Sequence, residues 1–252
     1  MKKLYIFASI NNIYTGQVKK LKEESLIETH IMYIEEFVRK SEDFSFREED
    51  VIYFLCCNSE LIQNAINLLK KFQCYIINES YLENDYKKYD IQKILANNKV
   101  PVPKTNYDGD IDNIKFPIFC KENCHEGIIF QAYNKITLKK FFEKFNIYDF
   151  YFENVIVGNE NSGREEKYYY VAGETFGKND TKIVKDEVKN ICNDISKALN
   201  NLEVFSVDII QTEENDSYVI DVNPSAGFYL SDNGRKCFLN KVNNEFGGKY
   251  AN

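Results

Sequence analysis

The first part of the chain alternates between strand-like and helix-like hydrophobic patterns. Residues 4–9 and 30–34 are short apolar runs that predict strands, and the charged residues 18–24 predict a helix between them. Residues 51–56 form a longer, uninterrupted apolar run, which is typical of a strand that is buried on both faces. The pattern therefore predicts strands connected by helices from the beginning of the chain.

A βαβ unit is predicted between residues 50 and 80. After the strand at 51–56, Asn58 or Ser59 is suited to cap a helix that runs to about residue 72 with apolar residues at helical spacing. Residues 74–78 then return as a strand. Because a helical crossover joins parallel strands, this region predicts a small α/β domain with a parallel sheet.

The remaining chain predicts a mixed α+β body. Predicted helices cover residues 86–98, 138–145 and 186–199, and the prolines of residues 100–103 end the first one. Predicted strands cover residues 116–121, 150–157, 168–172, 205–211 and 217–222. Gly173 and Glu174 form a hairpin turn after the third of these strands.

Composition narrows the class of protein. The 252 residues are 44% hydrophobic and 28% charged, as in an ordinary globular protein. The formal net charge of −7 argues against duplex nucleic acid as the main partner, and the scarcity of arginine leaves anion binding to lysines and backbone amides. The apolar run after Met1 is too short for a signal peptide or a membrane span, so we expect a cytoplasmic protein without a membrane partner.

The seven cysteines do not match a known metal motif. Cys120 and Cys124 are followed by His125, but no second ligand pair stands out elsewhere in the sequence. We therefore expect free thiols that are buried or partly buried. The sequence also contains no convincing Ser–His–Asp or Cys–His arrangement for nucleophilic catalysis.

The hairpin predicted at residues 205–222 carries the most informative polar side chains. Because side chains alternate along a strand, Asp221 and Asn223 share one face, and a short turn brings Asp208 close to Asp221. Neighbouring carboxylates in an apolar strand pair are unfavourable unless a cation or a proton separates them, and these oxygen ligands suit magnesium. The spacing alone leaves open that Asp221 and Asn223 face solvent and that Asp208 ends its strand.

This hairpin resembles the closing motif of the ATP-grasp superfamily, in the style of its ribosomal-protein glutamate ligase and glutathione synthetase branch. The matching segments are Phe-Ser-Val-Asp-Ile-Ile at residues 205–210 and Tyr-Val-Ile-Asp-Val-Asn-Pro at residues 218–224. The resemblance implies that Asp208, Asp221 and Asn223 hold magnesium. Asp221 replaces the family's usual Glu, which keeps the charge and shortens the side chain.

Earlier segments match the family in the same order. Lys88 falls at the family's first phosphate-binding lysine, although a lysine replaces the Asp that usually precedes it, and Lys121 ends the strand whose lysine reaches the phosphates. Glu153 and the backbone of Asn154 and Val155 match the hinge that lines adenine and ribose. The resemblance therefore implies that these residues bind the nucleotide.

The loop after Lys121 departs from the family. Its sequence Glu-Asn-Cys-His-Glu-Gly has one glycine, Gly127, where the family's phosphate-covering loop usually has two or three. We expect His125 or Asn123 to supply contacts that backbone amides make in other members, with a simply exposed histidine as the alternative.

The substrate side of the predicted site departs further. Tyr168 takes the place of a family Lys or Arg, so we expect that cation to be Lys167, shifted by a bulge, or Arg164. Residues 177–186 are short where family ligases carry a long substrate loop. Arg235 is a candidate for binding a substrate carboxylate, and a helix surface charge is the alternative.

The resemblance implies an α/β (α+β) protein with the ATP-grasp fold. The expected parts are an N-terminal parallel-sheet pre-ATP-grasp domain at residues 1–85, a small lid subdomain at 86–155 and a C-terminal subdomain with the metal site at 156–252. The last two are expected to clasp the nucleotide. Members of the family often pair, so a homodimer is one expectation for the assembly.

The implied activity is an ATP-dependent carboxylate–amine ligase that forms an amide through an acyl phosphate. Its cofactors would be ATP and Mg²⁺, and its partners a carboxylate and an amine on small molecules or peptides, with no nucleic acid and no membrane. One alternative is a kinase that phosphorylates a polyol-type substrate, which the four arginines and the negative net charge disfavour. Another is a nucleotide-binding module without turnover, which the altered glycine loop would suit.

Overall fold

A computed structural model describes residues 1–9, 15–56, 58–107, 109–124, 127–157, 165–178, 180, 183–228 and 231–246. The chain forms two compact units. The first unit contains Met1–Asp85, Lys167–Val207 and Asn223–Asn252, and the second unit contains Tyr86–Glu166 and Asp208–Val222. The three-part division expected from the sequence stays a prediction.

The N-terminal part of the first unit contains the predicted parallel sheet. Its strands have the order β2-β1-β3-β4, and each neighbouring pair is parallel. Asn58 caps the helix after β3, since its Oδ1 accepts a hydrogen bond from the Leu61 amide at 3.0 Å. The elements are β1 (Lys3–Ala8), α1 (Thr15–Glu24), β2 (Glu28–Tyr33), α2 (Ile34–Arg39), β3 (Val51–Leu55), α3 (Ser59–Leu69), β4 (Tyr75–Ile76) and α4 (Glu79–Leu82).

The second unit contains an antiparallel sheet with the strand order β5-β8-β6-β7. One face of this sheet packs on α6 through an apolar cluster that includes Cys120, Leu138 and Phe152. Strand β7 was not predicted because it is short and carries little hydrophobic alternation. The elements are α5 (Lys88–Asn97), β5 (Thr105–Asn106), β6 (Ile118–Glu122), β7 (Ile129–Ala132), α6 (Lys135–Phe142) and β8 (Phe150–Asn154).

The remaining elements build a sheet with the order β10-β9-β11-β12. The chain passes between the two units inside this sheet, after Val207 in one strand and after Val222 in another. The predicted hairpin at Gly173 is confirmed, and that glycine has a φ of +98°. The elements are β9 (Glu166–Val171), β10 (Glu174–Gly177), α7 (Asp186–Ala198), β11 (Val204–Gln211), β12 (Ser217–Asn223) and α8 (Asp232–Asn244).

A buried asparagine connects three segments of the first unit that are distant in the sequence. Asn78 is 4% exposed and has a left-handed backbone with a φ of 65°. Its Nδ2 donates to the carbonyl oxygens of Val204 at 2.6 Å and Pro224 at 3.1 Å, and its Oδ1 accepts from the amides of Glu203 and Val204, both at 2.9 Å. This side chain therefore satisfies four backbone groups that would otherwise be buried without partners.

Among the described residues, none of the helices combines the length and the hydrophobicity that crossing a membrane requires.

Candidate active site

A polar cavity of about 250 Å³ lies in the second unit, and every residue that lines it belongs to that unit. It brings together residues that are far apart in the sequence, and five of them were predicted as site residues. These five, with one further tyrosine, are Lys88, Lys121, Gly127, Tyr151, Asp208 and Asp221.

Lys88 enters the cavity from the first position of α5. A cation is unfavourable at a helix N-terminus because the helix dipole is positive there. The carboxylate of Asp221 compensates this charge by accepting a hydrogen bond from Lys88 Nζ, which also lies 3.4 Å from the carbonyl oxygen of Val222. The ammonium group of Lys88 therefore lies at a helix N-terminus, where the helix dipole favours an anion such as phosphate.

Lys121 enters the cavity from β6. Strand alternation turns Cys120 into the apolar core and directs Lys121 to the other face, where its Nζ lies 5.9 Å from the centre of the Phe119 ring. Nζ forms an ion pair with Oε1 of Glu153 on β8 and lies 3.5 Å from the carbonyl oxygen of Ile220. Lys121 is 14% exposed, so this ammonium group is held in a partly desolvated place.

Glu153 is the most deeply buried acid at this site. It is 2% exposed, and burial raises the pKa of its carboxyl above the usual value, while Lys121 acts in the opposite direction. Its Oε2 has no hydrogen-bond partner among the residues that the structure describes. One oxygen of Glu153 is therefore available for a hydrogen-bond donor on a ligand.

Two of the three predicted metal ligands line the cavity. Asp208 on β11 is 8% exposed, and Asp221 on β12 has a side chain that is 39% exposed. The third, Asn223, ends β12 and belongs to the first unit, where its Oδ1 accepts a hydrogen bond from the Ser225 amide at 2.9 Å. Asp221 does not face solvent alone, because its carboxylate forms an ion pair with Lys88.

The loop after β6 depends on its single glycine. Glu122 pairs with Ile128 through backbone atoms at 2.8 Å, and its Oε2 accepts from the Ile128 amide at 2.9 Å. A Cβ atom on Gly127 would lie 2.6 Å from Glu122 Cβ and 2.7 Å from the sulfur of Cys124. A larger residue at position 127 would therefore force this loop open.

The charges around the cavity suit a phosphate group that arrives with a divalent cation. Its described lining contains four acidic residues, Glu122, Glu165, Asp208 and Asp221, and two basic ones, Lys88 and Lys121. A polyphosphate alone would meet an excess of negative charge, which a cation on the aspartates would offset. The described residues contain no cluster of three or more His, Cys, Asp or Glu side chains placed to hold a metal, so a cation on the aspartates would need further ligands from the nucleotide or water.

The predicted hinge residues divide between the two faces of their sheet. Glu153 points to the lysines, whereas Asn154 lines a separate cavity of about 460 Å³ on the face that also carries Ile118 and Phe152. Val155 follows β8 and is half-buried. A nucleotide contact by Asn154 or Val155 would therefore involve the backbone, which is the contact predicted from the sequence.

Two predicted cations belong to the first unit. Lys167 lies on β9, whose register with β10 is regular from Lys167 to Val171, so the described hairpin contains no bulge that would turn Lys167 to the face of Tyr168. Arg235 lies on α8 and is 2% exposed. Its Nε and one terminal nitrogen donate to the Glu24 carboxylate at 2.7 and 2.9 Å, and Asp232 accepts a further bond at 2.7 Å.

The roles proposed for Lys167 and Arg235 stay predictions, although the guanidinium group of Arg235 already has two carboxylate partners. His125 and Arg164 lie outside the described residues.

Some residues of the cavity were missed from the sequence. Tyr151 precedes Glu153 by two positions on β8, so strand alternation alone places both on the same face. Burial raises the pKa of the Tyr151 phenol, which keeps it neutral. Glu122 and Glu165 carried no comparable signal, because acidic residues at the ends of strands are common on protein surfaces.

The chain has the ATP-grasp fold. It is similar to the ATP-grasp ligase PsnB complexed with minimal precursor, Mg and ADP, with a TM-score of 0.68, 12% identity, and coverage of 95% of this chain and 96% of that chain. D-alanine–D-alanine ligase from Bacillus anthracis, complexed with ATP, gives a TM-score of 0.66 and 14% identity over 96% of this chain and 95% of that chain.

A third similar structure is the macrocyclase MdnC bound with precursor peptide MdnA from Microcystis aeruginosa MRC. It gives a TM-score of 0.68 and 11% identity, and the match covers 97% of this chain and 100% of that chain. No family model matches the chain, and a comparison with curated proteins finds no match. These similarities confirm the predicted fold along nearly the whole chain.

Proposed function

We propose that this protein is an ATP-dependent carboxylate–amine ligase that uses Mg²⁺. The observation that carries the proposal is the cavity of the second unit, where Lys88 and Lys121 meet Asp208 and Asp221 within an ATP-grasp fold. Phosphoryl transfer depends on positioning and on neutralising charge, which are the properties that these four side chains provide. The cytoplasmic location expected from the sequence remains part of this proposal.

In the proposed reaction, a carboxylate oxygen of the substrate attacks the γ-phosphorus of ATP, and ADP leaves. The amine nitrogen of the second substrate attacks the resulting acyl phosphate, the carbon–oxygen bond breaks, and phosphate leaves while the amine loses a proton. Lys88 and Lys121 would bind phosphate oxygens, and Glu153 would accept a hydrogen bond through its free Oε2. Magnesium held by Asp208, Asp221 and Asn223 would neutralise the phosphate charge.

Either small molecules or peptides would serve as substrates in this proposal. The similar structures of PsnB and MdnC contain a precursor or precursor peptide, whereas D-alanine–D-alanine ligase is named for an amino-acid substrate. No contact among the described residues favours the kinase or the module without turnover over the ligase.

The test is phosphate release from ATP and Mg²⁺ in a screen of amino acids, other carboxylates and peptides. We expect the wild-type protein to release ADP and phosphate with a matching carboxylate and amine. The double variant Asp221→Ala/Asn223→Ala should reduce this rate by about 10²-fold or more, because it removes two of the three proposed metal ligands.

Asp216→Ala is the matched control, because it removes an exposed carboxylate from the turn of the same hairpin. It should leave the rate unchanged. Retained turnover in the double variant would refute the site assignment, and a phosphorylated product without free phosphate would identify a kinase instead.

A further inference from the structure

The two lysines of the cavity have partners of different kinds. Lys121 pairs with Glu153, which is 2% exposed and is not a proposed metal ligand. Lys88 pairs with Asp221, which is 39% exposed and is a proposed metal ligand. The carboxylate of Asp221 thus has two candidate cationic partners, the ammonium group of Lys88 and a divalent ion.

A divalent ion and an ammonium group that contact one carboxylate repel each other, because both are cationic and the site is partly desolvated. Asp221 therefore cannot serve both at full strength. The other acceptor described for Lys88 Nζ is the Val222 carbonyl oxygen at 3.4 Å, which carries no full charge. A phosphate oxygen would supply the anion that it lacks once Asp221 is engaged.

We infer that Lys88 is a built-in competitor for the metal site, so that Asp221 changes from Lys88 to the metal ion only when phosphate is present to receive Lys88. This inference rests on the proposed function and adds a rule for binding. Metal and nucleotide bind as a coupled pair, and the site discriminates against the free divalent ion. By reciprocity, each member of the pair increases the affinity of the other.

The test measures binding of Mn²⁺ alone to the full chain, by electron paramagnetic resonance of the free ion. In Lys88→Met we expect Mn²⁺ to bind about fivefold more tightly or better than in the wild-type protein, because the competitor for Asp221 is gone. The same variant should bind a non-hydrolysable ATP analogue with Mn²⁺ more weakly, because it has lost a phosphate contact. A purely structural role for Lys88 would not produce these opposite shifts.

Lys87→Met is the matched control. Lys87 is the preceding residue, is exposed, and loses the same charge without a described contact to Asp221. Equal Mn²⁺ affinities in Lys88→Met and Lys87→Met would overturn the inference even if the nucleotide binds. A wild-type protein that binds no nucleotide with Mn²⁺ or Mg²⁺ would instead overturn the proposed function.

A second measurement needs no variant. Reaction of Lys88 with an amine-labelling reagent, followed by mass spectrometry of the wild-type protein, reports whether its ammonium group is engaged. Saturating Mn²⁺ alone should increase labelling of Lys88, and Mn²⁺ with the ATP analogue should decrease it. Labelling that does not respond to Mn²⁺ alone would overturn the inference, whether or not Lys88→Met folds.

Discussion

At the scale of single residues, the site depends on which carboxylate each lysine meets. The resemblance to a known fold predicted that Lys88 and Lys121 lie near Asp208 and Asp221, and the cavity brings these four residues together. The ion pairs themselves were not predictable. The packing of α5, β6 and β12 determines which carboxylate each lysine contacts, and a local sequence pattern does not encode that packing.

The buried carboxyl of Glu153 gives a prediction for pH dependence. Because burial raises its pKa above the ordinary value of 4.5, the folded protein holds this proton more tightly than the unfolded chain. The contribution is fully present below pH 4.5 and is lost as the pH rises through the folded pKa. The free energy of unfolding of the wild-type protein should therefore fall relative to that of Glu153→Gln as the pH rises above 4.5.

Urea denaturation across this pH range measures the difference between the two proteins. Glu143→Gln is the control, because Glu143 is an exposed carboxyl of the same unit. Parallel curves for the wild-type protein and Glu153→Gln would show that Glu153 titrates alike in the folded and unfolded chains.

At the scale of elements, α8 is a helix that the hydrophobic pattern of the sequence did not predict. No bounds were assigned to this helix from the sequence, although Arg235, Phe238 and Val242 are buried at helical spacing. Its sequence contains a glycine and several asparagines, which have low helix propensity. An N-cap and a contact from a distant residue stabilise this helix. Ser231 accepts the Gly234 amide at 3.0 Å, and Asp180 accepts the Asp232 amide at 2.8 Å.

Arg235 connects α8 to α1, and its loss should destabilise the protein. Its hydrogen bonds with Glu24 hold the pKa of that carboxyl below its usual value, although Glu24 is one-third exposed. Arg235→Met removes the charge and keeps much of the buried stem, and we expect the free energy of unfolding to fall by about 2 to 3 kcal/mol. Guanidinium denaturation measures this change.

Lys236→Met is the matched control on the next, exposed position of α8, and it should change stability little. If Arg235 instead binds a substrate carboxylate, Arg235→Met would raise KM with little loss of stability. That outcome would contradict a purely structural role for this guanidinium group.

At the scale of the whole molecule, the order of elements was predictable and the grouping of segments was not. The strands and helices of the βαβ region and the hairpin of β11 and β12 follow from hydrophobic spacing. The assignment of residues 208–222 to the same unit as residues 86–166 depends on contacts between segments that are distant in the chain. Local periodicity carries no information about such contacts.

Ligand binding should stabilise the whole chain if the proposed function holds. At about 100 times the dissociation constant, ATP with Mg²⁺ should add roughly 2.7 kcal/mol to the free energy of unfolding, which corresponds to roughly 5–10 °C in Tm. Differential scanning fluorimetry measures this shift. ATP with a chelator should give a much smaller shift, and Lys121→Met should reduce the full effect. Equal shifts with and without Mg²⁺ would contradict the metal-dependent site.

The discontinuous second unit has a consequence for recombination between this gene and the genes of related proteins. The lysines of the cavity are encoded between residues 86 and 166, and its aspartates between residues 208 and 222, with a stretch of the first unit in between. A single recombination breakpoint between these stretches would join lysines from one parent to aspartates from another. Lysines and aspartates from the same parent are kept only when both stretches come from that parent. Chimeras of this chain should therefore keep or replace the two stretches as a pair.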